Sequence, residues 1–164
     1  MPAKNQKTID QLLTQAITEF SKTLELFGLT PTEARLFVTL YIQNRPMTLD
    51  EMSEALGKSK TAMSNGIRSL LDLNLVERVW KKGVRKDLYQ AEDQLFRKFM
   101  VSYTQKWLDS VDSQKQTLQQ IENELNESIP STENQDFHQL SARIQNIIRF
   151  HQLLEDSFHR INPN

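Results

Sequence analysis

The chain has 164 residues, with 20 lysines and arginines against 21 aspartates and glutamates, and no cysteine. That length suits one modest domain with extensions, and the missing thiols exclude cysteine-based redox sensing and thiolate zinc sites. No apolar run approaches the roughly 20 residues that span a bilayer, and Met1 to Lys7 adjoins no secretory core, so a cytoplasmic setting without a membrane partner is expected.

Only four glycines and five prolines point to a mainly α chain. Between Thr8 and Phe27, residues Ile9, Leu12, Leu13, Ala16, Ile17, Phe20, Leu24 and Phe27 recur at three- and four-residue spacing. This is one apolar helix stripe, and Gly28 ends it. Thr30-Pro31-Thr32-Glu33 is a capping box with proline at the first helical position, where its missing amide is harmless. A helix is predicted from there to about Gln43, and Pro46 separates it from the next element.

Thr48-Leu49-Asp50-Glu51 is a second capping box and opens a short helix to about Leu56. Gly57 supplies a turn, and Ser59 caps a third helix from Lys60 to about Leu73. This is the helix-turn-helix layout. At about 100° per residue, Met63, Ile67, Leu70 and Leu71 share one side of that third helix. Lys60, Thr61, Ser64, Asn65 and Arg68 share the other. Small polar side chains with a few cations suit base edges and phosphates in a major groove; an ordinary solvated face is the alternative. Gly66 in mid-helix costs about 1 kcal/mol against alanine, which close approach of another backbone would offset.

Leu75–Trp80 and Lys86–Gln90 are predicted as the strands of a hairpin around Gly83. Such a hairpin places Lys81, Lys82, Arg85 and Lys86 at or near its tip. Residues 57–90 hold eight lysines or arginines and three acids, a net +5 in a chain whose total is −1. A basic segment in an otherwise acidic chain is the electrostatic footprint of a polyanion partner.

The run from Leu56 to Glu92, above all SKTAMSNGIRSLLDLNLVERVW followed by KKGVRKDLYQAE, resembles the winged-helix domain of the GbsR-type branch of the MarR superfamily. The matching positions are Ser59, Asn65 and Arg68 in the recognition helix, and Gly83, Arg85, Lys86, Asp87 and Tyr89 in the wing. The resemblance implies a dimeric, double-stranded-DNA-binding transcriptional regulator, sometimes responsive to choline or glycine betaine. It favours a dimer-arm role for the leading helix.

From Glu92 or Asp93 a long helix is predicted to about Asn126, roughly 50 Å. Ser128 to Asn134 breaks it, and a closing helix runs from about Asp136 to Ile161, folding back as an antiparallel hairpin. Phe96, Phe99, Tyr103 and Trp107 lie along one side of the long helix. They are either helix packing or, in the light of the resemblance, a cage for a quaternary ammonium. Trp80, Phe37 and Tyr41 are further candidates for such a cage. His151, Glu155 and His159 recur every four residues and are read as a helix face rather than a metal site. No phosphate loop, His-Glu-x-x-His or nucleophile elbow is present, so neither catalysis nor a cofactor is expected.

These readings converge on a mainly α fold: a winged helix-turn-helix with an N-terminal helix and long C-terminal dimerisation helices. The expected divisions are a helical arm over 1–28, the DNA-binding domain over 29–92, and a linker and dimerisation region over 93–164. The expected function is sequence-specific DNA binding by a homodimeric repressor with a small-molecule effector. A winged helix used only for protein interaction is the alternative.

Overall fold

The computed structural model describes residues 2–128 and 135–162. The chain runs α1 (Pro2–Leu26), α2 (Pro31–Gln43), α3 (Leu49–Leu56), α4 (Lys60–Asp72), β1 (Val76–Val79), β2 (Leu88–Ala91), α5 (Leu95–Ser128) and α6 (Gln135–Ile161). The expected break at Ser128–Asn134 falls, beyond its first residue, outside the described residues. Two compact units divide the chain, residues 1–99 and 100–164.

In the first unit the helix starts are fixed locally. The Glu33 amide donates to Thr30 Oγ1 at 3.2 Å while the Thr30 amide donates to Glu33 Oε2 at 2.9 Å. Thr48 and Glu51 repeat the exchange at 3.2 and 2.7 Å. Each box satisfies two amides that a helix start leaves unpaired. Helices α2 and α3 end on left-handed residues, Asn44 and Gly57.

The core of this unit gathers Leu24 from α1, Leu36, Phe37 and Leu40 from α2, Met52 from α3, and Met63, Ile67 and Leu70 from α4, with Leu75, Val76 and Tyr89. The expected arm boundary at residue 28 is therefore no unit boundary, because the last turns of α1 supply core. Its earlier turns leave Ile9 and Leu12 exposed. Gly66 is buried against α2, where a β-carbon would meet Leu36 Cδ2 at 2.9 Å. A close side chain, and not another backbone, accounts for this glycine.

Strands β1 and β2 pair antiparallel, with Val76 opposite Ala91 and Val79 opposite Leu88. The ladder is shorter than expected and set toward the core, so Trp80, Lys86 and Asp87 lie in the loop. Met47 exchanges two backbone hydrogen bonds with Tyr89, at 2.8 and 2.9 Å, and adds a one-residue rung to the wing.

In the second unit, Trp107 stacks on Phe158 and Lys115 bonds Glu155 and Gln152. Partner numbers that fall along α6 as they rise along α5 show the two helices packed antiparallel. Leu108, Val111, Phe137 and Ile144 are buried. Ile121, Leu140, Ile147, Phe150, Leu153 and Ile161 are exposed, a broad apolar surface for a pair of helices. No helix among the described residues is long and apolar enough to cross a membrane.

Candidate nucleic-acid interface

Helix α4 begins where Ser59 Oγ accepts the Ala62 amide at 3.1 Å. The serine therefore acts as N-cap, and its hydroxyl is engaged in starting the helix. Beyond it the faces separate as expected. Met63, Gly66, Ile67 and Leu70 are buried, Lys60, Thr61, Asn65 and Arg68 are exposed, and Ser64 is half-buried. Leu71, expected on the core side, is also only half-buried.

The wing turns at Lys81–Val84, closed by the Val84 amide donating to the Lys81 carbonyl at 3.1 Å. Gly83 takes φ 84°, the left-handed value required at the third position of a type II turn. Lys81, Lys82, Arg85 and Lys86 are all exposed. An open groove at the wing is lined by Arg78, Trp80, Lys81, Arg85, Lys86 and Asp87, among others, and Asp87 pairs with Arg78.

One residue that the sequence reading did not single out joins these parts. Asp50, in the first turn of α3, accepts Lys60 Nζ on Oδ1 at 3.1 Å and Lys86 Nζ on Oδ2 at 2.6 Å. The start of α4 and the end of the wing loop thus converge on one carboxylate. The hydrogen bond from Lys86, and next that from Lys60, lower the Asp50 carboxyl, and the same bond raises the Lys86 ammonium. Arg68, Lys81, Lys82 and Arg85 form no ion pair with any described residue, leaving them available to an outside anion.

The aromatic stripe divides between the two units. Phe99 is 5% exposed and packs edge-on against Phe27 and Phe37, at 5.7 and 5.0 Å between ring centres. Its faces are spent on the core of the first unit. Phe37 is buried too, with Tyr41 stacked beside it, and Phe96 and Trp80 are exposed. Tyr103 and Trp107, in the second unit, share a cluster with Phe158 of α6 at 6.3 and 5.0 Å. Phe158 stands in the closing helix, and pairing it with Trp107 requires the register of the two helices. Glu155 is held by Lys115, and among the described residues no three histidine or acidic side chains converge on a metal position.

Residues 24–94 match the family described as sugar-specific transcriptional regulator TrmB. The putative HTH-type transcriptional regulator YvaV of Bacillus subtilis is 37% identical over 117 residues, which is 71% of this chain and 66% of that protein. The HTH-type transcriptional repressor GbsR of the same organism is 37% identical over 99 residues, 60% of this chain and 54% of its own length. This chain thus spans about half to two thirds of these relatives. A crystal structure of a transcriptional regulator, 16% identical, shares the fold with a TM-score of 0.58 over 93% of this chain and 99% of its own. The matched family and relatives are regulators of transcription and not enzymes, and the chain belongs to the GbsR-type group of winged-helix transcriptional regulators.

Proposed function

We propose that the chain is a sequence-specific, double-stranded-DNA-binding regulator that works as a homodimer in the cytoplasm. The convergence of Lys60 and Lys86 on Asp50 carries this reading, since it makes the recognition helix and the wing one continuous basic surface. On that surface Thr61, Ser64, Asn65 and Arg68 face the bases, and Lys81, Lys82, Arg85 and Lys86 meet phosphate or the minor groove. Ser59 caps the start of the helix, and Lys60 beside it meets phosphate. The repressor names of relatives such as GbsR support repression as the sign.

The exposed apolar residues of α1 and of the α5–α6 pair support a two-fold dimer that reads half-sites one turn, roughly 34 Å, apart. Titration with mixed-sequence duplex at two salt concentrations tests the reading. A regulator of DNA loses affinity with a slope of about −0.9 per phosphate contact. A winged helix used only for protein contacts shows no such dependence.

Tyr103, Trp107 and Phe158 support a small-molecule effector in the second unit. Trp107 stays 38% exposed while stacked on Phe158, which leaves part of its surface accessible to a quaternary ammonium such as choline or glycine betaine. Calorimetry with both compounds tests this part separately.

A further inference from the structure

Asp50 is an acid on a surface otherwise built to attract an acid. Both of its oxygens are occupied, and by lysines from different elements: Lys60 opens α4, and Lys86 ends the wing loop. Its side chain remains 45% exposed, and those of the two lysines 60% and 66%. The pairing therefore fills no interior space, and solvent-exposed ion pairs of this kind contribute little to stability. Thr48 and Glu51 already cap α3 by themselves, so helix initiation does not require a further acid there.

The geometry is that of a phosphodiester seat. A tetrahedral anion with two free oxygens satisfies two ammonium groups from neighbouring elements as a carboxylate does. We propose that Asp50 is an internal stand-in for a DNA backbone phosphate, holding the seat between Lys60 and Lys86 in the free protein and yielding it when duplex binds. This rests on the DNA-binding reading above. A sequence that supplies good base contacts to α4 displaces the carboxylate, whereas a random duplex has less with which to displace it. Asp50 is then a specificity-determining residue that acts by weakening indiscriminate binding more than selected binding.

The seat makes a prediction that net charge alone does not. Asp50→Asn removes the stand-in. Glu54→Gln removes an equal charge from an exposed position one turn further along α3. Affinity of the full chain for a mixed-sequence duplex and for a duplex selected from random sequence is measured across a salt series for wild type and both variants. A circular-dichroism check confirms α3, with Asp50→Ser as the second variant if asparagine disturbs it. Asp50→Asn is expected to tighten mixed-sequence binding about two- to fivefold per chain, to steepen the salt slope by about one, and to lower the ratio of selected to mixed affinity. Glu54→Gln is expected to give less than half of that gain.

Equal gains from the two variants, or no gain from Asp50→Asn, overturn the seat while leaving DNA binding intact. If wild type, Asp50→Asn and Glu54→Gln all fail to bind any duplex at low salt, the DNA-binding reading falls and the seat falls with it.

Discussion

Gly66 of α4 and Leu36 of α2 stand so close that a β-carbon on the glycine would lie 2.9 Å from Leu36 Cδ2. Leu36 is fully buried and has little room to yield. Overpacking of this kind costs about 1–3 kcal/mol, and the gain in helix propensity offsets about 1 kcal/mol of it. Gly66→Ala is therefore expected to lose on the order of 1 kcal/mol, read as a lower urea midpoint. Leu36→Val in the same chain should restore part of the loss. A rise in the midpoint for the single variant would show that the helices can separate freely.

Acid should loosen the start of α3. The Thr48 amide, and with it the Arg45 guanidinium, hold the Glu51 carboxyl below its ordinary value of 4.5, against an opposing effect of burial. A depressed carboxylate contributes stability that is complete above the ordinary value and lost as pH falls through the lower folded value. Glu51→Gln keeps an acceptor for the Thr48 amide but does not titrate. The gap in melting temperature between wild type and Glu51→Gln should thus be constant above pH 4.5 and close as pH falls below it. A gap that persists into strong acid would assign the effect to shape rather than charge.

Positioning and reading should separate on the DNA face. Arg85 lies in the wing loop and should meet phosphate or the minor groove, so Arg85→Ala should weaken binding to all sequences and reduce the salt slope by about one. Arg68 lies on the exposed face of α4, and Arg68→Ala should cost on the order of 1–3 kcal/mol at a selected site and relax preference at defined base pairs. Selection from random duplexes with each variant checks both. Unchanged binding by the two variants would mean that the surface lies elsewhere.

The Trp107–Phe158 stack gives the effector reading a direct test. If a quaternary ammonium uses the exposed part of Trp107, its binding quenches or shifts tryptophan emission, and Trp107→Ala or Phe158→Ala abolishes the calorimetric heat. Phe96→Ala should leave the heat unchanged, because that exposed ring is outside the cluster. Equal heats from all variants would return the three rings to packing.

The helix starts were legible because a cap is a local device: Thr30, Thr48 and Ser59 each bond an amide three residues on. The two faces of α4 were legible for the same reason, since periodicity alone sorts Met63 from Asn65. Contacts distant in sequence were not legible. Asp50 and Lys86 are 36 residues apart, and the strand ends depend on Tyr89 pairing with Met47. The aromatic stripe shows the limit of a helical wheel. It groups Phe96 with Phe99, although only Phe99 meets the core.

The double hydrogen bond between Met47 and Tyr89 also bears on how the wing opens. Two four-residue strands are marginal as an isolated hairpin, but this one is fastened through Tyr89, on the second rung from its loop, to a buried residue, Met47, that precedes α3. The amides of Met47 and Tyr89 should therefore exchange with deuterium only when residues 1–99 open together, while those of residues 80–87 exchange through brief local openings. A partner that grips the tip works against an anchored second strand. Its pull is delivered to the segment that leads into the helix-turn-helix.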